Sequence, residues 1–297
     1  MTSSWGSVDA NGPLAFQRWP GAQGLSIVCV HGLGATSAQW VPVAEQLRTW
    51  GTVVAVDLPG FGESPLSGRA GLRRLARAVG AVVDDQGAQD PVVLCGSSVG
   101  AAIAVRVAAE RPERVRALVL GSGYLPPYFG GWRAPAVLGG LVASQIGNLG
   151  QGTVRALLGS ALGPEPSEQA NPTSAPPAGT APTRADHRWS TVRALASLAL
   201  LSALFPLARA VYDRPRCPVL VLHGKEDPYV PVAWAHHAAR RYGYDLRVLP
   251  AVAHVVELGN PEWWLEDVGG WLVAQGLLDS ARVRPPGEAA VRPPEDR

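Results

Sequence analysis

Two serines stand side by side between two glycines in Leu94–Ala104, LCGSSVGAAIA. An alcohol oxygen attacks a carbonyl only when a base stands ready to take its proton. One of these serines could therefore be a nucleophile in acyl transfer, provided the chain supplies a base, an acid to orient it and donors for the developing oxyanion. The preceding PVVLCGSS is a short apolar run with strand character, and the following VGAAIAVRVAA has helix character. The pair thus sits on a strand-to-helix turn, where backbone and helix approach too closely for a side chain two residues before or after the apex. Ser98 has Gly96 and Gly100 at those positions, whereas Ser97 has Cys95 and Val99, so Ser98 is the candidate nucleophile.

The six histidines differ in context. His236 and His237 fall inside a helix pattern, and His187 neighbours a Pro-rich stretch. His31 and His223 each precede a glycine at the end of an apolar run, where a ring braces a loop more often than it moves protons. His254 follows the last apolar run on a loop before NPEWW and is the candidate base. HGKEDPYVP puts Asp227 on the loop after the penultimate strand as the orienting acid, with adjacent Glu226 as the local alternative. For an oxyanion, the N–H of Val99 opens the helix after Ser98, and the glycine-rich HGLGAT (31–36) offers the N–H of Leu33.

These residues need a frame that gathers them. Apolar, β-branched runs at 25–32, 51–60, 91–98, 115–123, 217–224 and 245–254 alternate with helix patterns at 37–50, about 69–85, 99–115, 231–242 and 261–278. Continuous apolar strands alternating with helices predict an α/β fold, a mostly parallel, doubly wound sheet covered on both faces. Ligands collect at the carboxyl ends of such strands. His31, Asp57, Ser98, Gly121, Asp227 and His254 all follow strand ends. The rhythm breaks over 124–213, read as a helical cap inserted between core segments 1–123 and 214–279. Within the cap, 163–183 is dense in Pro, Ser, Thr and Ala and is expected to be disordered, as is the tail 280–297.

Composition narrows the class. The 297 residues carry a net charge of +2, so no strong field draws in nucleic acid. The doublets Arg73-Arg74 and Arg240-Arg241 read as solvated helix faces. No basic run followed by an apolar core opens the chain, so no signal peptide is expected. The longest uncharged apolar run, Ala194–Ala208, is shorter than a membrane span and is interrupted by Pro206. Cys29, Cys95 and Cys217, each in or beside a strand-like run, read as buried free thiols, which points to the cytoplasm; their spacing suits no zinc site.

HGLG (31–34), DLPGFGES (57–64), GSSVG (96–100), HGKEDPYVP (223–231) and AHVVELGNPEWW (253–264), in this order over 25–278, resemble the α/β-hydrolase superfamily in its capped, esterase- or lipase-like serine branch. The resemblance implies a Ser98–His254–Asp227 triad, an oxyanion hole at Leu33 and Val99, an acyl-enzyme, and no metal or organic cofactor. Gly32, Tyr124 and Trp132 are the expected pocket residues, and the partner a small molecule with an apolar acyl group. Ala253 and Ala101 stand where the family often has glycine, and Gly259 where it often has glutamate. Relatives that place the acid one strand earlier have no counterpart in GSGYLPP. Branches with aspartate at the elbow, such as epoxide hydrolases, are set aside by Ser98. The implied function is a serine hydrolase for a carboxylic ester, lactone or thioester. The alternatives are a carbon–carbon bond hydrolase, for which Arg133 would be a candidate carboxylate ligand, and a slow-turnover binding protein or cyclase.

Overall fold

The computed structural model describes residues 3–9, 13–66, 71–86, 90, 92–123 and 215–283. The expected cap 124–213, with its Pro-rich loop 163–183, Tyr124, Trp132 and Arg133, lies outside the described residues. Eight strands form one sheet: β1 (Ser4–Asp9), β2 (Pro13–Trp19), β3 (Ser26–Val30), β4 (Thr52–Val56), β5 (Val92–Ser97), β6 (Val115–Gly121), β7 (Val219–Gly224) and β8 (Asp245–Leu249). Their spatial order is β1-β2-β4-β3-β5-β6-β7-β8. β1 and β2 pair antiparallel with each other, and β2 antiparallel with β4; every other pairing is parallel.

The helices are α1 (Val41–Trp50), α2 (Leu72–Gln86), α3 (Val99–Glu110), α4 (Val232–Tyr242), α5 (Val256–Gly259) and α6 (Pro261–Ala274). Successive strand side chains point to opposite faces, and both faces are dry. Val28, Val30, Val54, Val56, Leu94, Leu118, Leu120 and Val221 pack with residues of α2, α3 and α4. Their neighbours Ile27, Cys29, Val53, Ala55, Val93, Cys95, Val119 and Leu220 pack with residues of α1, α5 and α6. That is why the strands read as unbroken apolar runs. In α2 the buried Leu75, Ala78, Val79, Val82 and Val83 recur at helical spacing and make one core-facing stripe.

The chain runs from β3 to β4 on one side, then returns to place β5 on the other side of β3. The order reverses there, and a crevice opens at the carboxyl ends of β3 and β5. Those ends carry His31–Leu33 and Ser98.

Four details differ from the sequence reading. β1 and β2 were not among the expected strands. The last strand stops at Leu249, because Pro250 has no N–H for the ladder and Ala251 turns with φ 55°. Cys217 is only half-buried, while Cys29 and Cys95 are buried, and all three are free thiols. Finally, the chain stays ordered past 279. Ser280–Arg282 forms a 3-10 turn in which the Arg282 carbonyl accepts from the Trp50 indole at 3.0 Å. The Arg282 guanidinium donates to the Gln23 and Trp50 carbonyls at 3.0 and 3.3 Å. The remainder of the expected tail lies outside the described residues.

Candidate active site

Ser98 sits between β5 and α3 with φ 53° and ψ −115°, a backbone conformation that costs a non-glycine residue about 1–3 kcal/mol. The turn is pinned by the Ser98 N–H, which donates to the Gly121 carbonyl at 2.8 Å. It is also crowded. A Cβ on Gly96 would lie 2.5 Å from the Gly100 carbonyl oxygen, and one on Gly100 would lie 2.3 Å from that of Val30. Only glycine fits at either place, and this crowding lifts the Ser98 hydroxyl out of the turn.

The Ser98 hydroxyl lies 2.9 Å from His254 Nε2, and His254 Nδ1 lies 2.7 Å from Asp227 Oδ2. A carboxylate accepts, so Nδ1 carries the proton, which leaves Nε2 as the acceptor facing Ser98. Asp227 is itself held: its Oδ1 accepts from the N–H groups of Tyr229 and Val230, both at 2.9 Å. Burial pushes the Asp227 carboxyl up, but the bond to His254, the charge of His254 and these two N–H groups outweigh it and leave the group below its ordinary value. Tyr229 also packs edge-on against the His254 ring, with centroids 5.3 Å apart. Glu226, the alternative acid, is exposed.

The other strand-end residues brace loops. Leu58 N–H donates to His31 Nε2 at 3.0 Å, so Nδ1 is the protonated nitrogen and donates to the Gly32 carbonyl at 2.7 Å. Burial drives the His31 pKa down from 6.5 to about 4, against the Gly32 bond and the charge of Asp57, so the ring is neutral. The Asp57 carboxylate accepts from Ser37 and Glu63 N–H groups, and His223 Nε2 donates to the Val230 carbonyl.

A cavity of about 390 Å³ opens over Ser98 and His254. Gly32, Leu33, Ala35, Ala38, Val255 and Leu258 are among its lining residues. Val99 starts α3, where the first N–H groups have no acceptor within the helix. Among the described residues no group of three or more His, Cys, Asp or Glu is placed to hold a metal ion.

The family model described as Alpha/beta hydrolase family matches residues 27–267. The chain belongs to the alpha/beta hydrolase family. The hydrolase is 30% identical over 257 residues to a pimeloyl-[acyl-carrier protein] methyl ester esterase of Aeromonas hydrophila subsp. hydrophila, a match covering 82% of this chain and 94% of that one. Solved structures resemble the fold. A thermophilic esterase from Thermogutta terrifontis matches with a TM-score of 0.64 at 20% identity, covering 94% of this chain and 100% of that one. A carboxylesterase from Bacillus subtilis matches with 0.63 at 17% identity, covering 92% and 93%.

The structure thus brings Ser98, His254, Asp227, Gly32 and Leu33 to one mouth of the hydrolase, with Val99 beside them. Two residues there had no place in the sequence reading. Glu257 is fully buried three residues after His254, and Gln39 Nε2 donates to its Oε1. Gln39 Oε1 in turn accepts from the Gly32 N–H at 3.2 Å. The available signal was an acid in an otherwise apolar turn, VVELG, next to the candidate base.

Proposed function

We propose that this hydrolase is a serine esterase of the carboxylesterase type, cleaving a carboxylic ester, lactone or thioester whose acyl part is apolar. The single observation that carries the reading is the continuous chain from Ser98 Oγ through the His254 ring to Asp227, with each bond under 3 Å. Ser98 Oγ attacks the carbonyl carbon and its proton passes to His254 Nε2. The imidazolium hands that proton to the leaving alcohol, thiol or lactone oxygen, and an acyl-enzyme remains. Water, deprotonated by the same Nε2, releases the acid. Asp227 holds the ring and balances its transient charge.

The N–H groups of Leu33 and Val99 serve the oxyanion in this reading. The Gly32 carbonyl accepts from His31 Nδ1 and from Ala35 N–H at 3.3 Å. In a trans peptide the carbonyl and the next N–H point opposite ways, so the Leu33 N–H is turned away from the His31 ring. The apolar side chains of Leu33, Ala35, Ala38, Val255 and Leu258 favour an apolar acyl group. The name of the Aeromonas relative, a methyl ester esterase, favours an ester as the bond cleaved. Three free thiols fit a cytoplasmic setting, and among the described residues no helix is long and apolar enough to cross a membrane.

The test is a p-nitrophenyl ester series of rising acyl length, run beside fluorophosphonate labelling. Wild type should hydrolyse the series with a chain-length optimum and be labelled at Ser98, while Ser98→Ala should do neither. Wild type that neither labels nor hydrolyses any ester would overturn the esterase reading; labelling that survives Ser98→Ala would overturn the nucleophile.

A further inference from the structure

We propose that Gln39 and Glu257 form a positioning relay that fixes Gly32 beside Ser98, and through Gly32 the following Leu33 N–H, and so governs turnover rather than substrate affinity. The proposal rests on the serine-esterase reading above. Its starting point is a buried acid with no ordinary reason to be there. Glu257 is fully buried, among the described residues it forms no ion pair, and its Oε2 has no hydrogen-bond partner. Burial holds its carboxyl above the ordinary value, although its own backbone N–H, the side chains of Ser97 and Gln39 and the charge of His254 pull the other way. An apolar side chain of similar size would pack there at less cost. Glu257 therefore does something other than stabilise the fold.

Its one bonded oxygen shows what. Gln39 is buried between Glu257 and the peptide that follows His31. The Gly32 N–H must donate, so the Gln39 carboxamide has to present Oε1 to it. Nε2 then faces the opposite way and needs a buried acceptor, which Glu257 Oε1 provides. Without that acceptor the amide has no reason to hold this orientation. Gly32 is consequently gripped at both ends: its N–H by Gln39, its carbonyl by His31. Its Cα sits so near the nucleophile that an added Cβ would lie 3.3 Å from Ser98 Cβ. Gln39 thus holds the peptide on the amino side of Gly32 and His31 the peptide on its carboxyl side, and it is the second of these that carries the Leu33 N–H. A donor displaced by about an ångström loses most of its benefit to the transition state while ground-state binding survives.

The experiment compares Glu257→Leu, Gln39→Leu, their double mutant and Glu257→Gln. The readouts are p-nitrophenyl butyrate kinetics and the rate of Ser98 phosphonylation by a fluorophosphonate. Each leucine variant should lower kcat by about tenfold or more, with KM changed by less than about threefold. The double mutant should be no slower than the slower single, because both substitutions cut one relay. Glu257→Gln keeps an amide oxygen to accept from Gln39 and should restore kcat to within about threefold of wild type. A kcat unchanged in either leucine variant, a loss falling on KM, losses that multiply in the double mutant, or Glu257→Gln as slow as Glu257→Leu would each overturn the relay. Should Glu257→Leu not fold, Gln39→Leu and Glu257→Gln decide alone. Phosphonylation also builds charge on an oxygen facing the same N–H groups. If wild type is labelled but turns over no ester, the esterase reading fails while the labelling rates still judge the relay.

Discussion

At the scale of single residues, the proposed chemistry depends on which nitrogen of the His254 ring holds the proton, and the Asp227 carboxylate decides it. Asp227→Asn can donate to His254 Nδ1, which would turn the ring's protonated nitrogen toward Ser98. The expected outcome is a fall in kcat of roughly 10³- to 10⁴-fold on p-nitrophenyl butyrate with the fold retained by circular dichroism. Exposed Glu226 should not substitute for Asp227. His31 makes a pH prediction. Its folded pKa of about 4 lies below the ordinary 6.5, so the unfolded chain binds the extra proton first. Its contribution is complete above pH 6.5 and is lost as pH falls toward 4, a span worth on the order of 3 kcal/mol. Thermal unfolding between pH 7 and 4 should show the loss. His31→Gln, less stable at pH 7, should show a shallower slope over the same window.

At the scale of elements, the strained elbow and a close crossing of two loops position the candidate residues. Ser98 holds a positive φ that a glycine would adopt without penalty. Ser98→Gly and Ser98→Ala should both be inactive, yet Ser98→Gly should melt no lower than Ser98→Ala, despite the usual entropic cost of glycine. A lower melting point for the glycine variant would argue against stored strain. The loop that carries His254 crosses the end of β7, where a Cβ on Gly224 would lie 2.1 Å from the Ala253 carbonyl oxygen. Gly224→Ala should therefore push the base away from Ser98 and lower kcat on p-nitrophenyl butyrate by about 100-fold, with the fold retained by circular dichroism. The elements themselves were legible wherever both faces of a strand are buried, because the apolar run is then unbroken. β1 and β2 carry no such signal, for the opposite reason. β1 is largely exposed, and β2 mixes Gln17 and Arg18 with buried Leu14, Ala15 and Phe16, so neither carries the run that marks an interior strand. Of the candidate site, Ser98, His254 and Asp227 were legible because glycine spacing and strand ends are local signals. The Gln39–Glu257 contact joins residues 218 apart, and no local pattern records such a meeting.

At the scale of the whole molecule, the reversal of strand order puts every proposed catalytic group at one end of the sheet. The turn at Ser280–Arg282 was the least legible part, since its polar, Arg- and Pro-rich continuation reads as tail. Its contacts are with Gln23 and Trp50, which precede the amino ends of β3 and β4. Ending the chain at Asp279 should lower the melting temperature, as the Trp50 indole loses its acceptor, and should leave kcat on p-nitrophenyl butyrate unchanged. The same geometry bears on how the enzyme could be mounted on a solid support. Val283, packed near Trp50, lies at the end of the sheet remote from the Ser98 mouth. A tether there should leave the mouth facing the liquid, and the anchored enzyme should keep the kcat/KM it has when free.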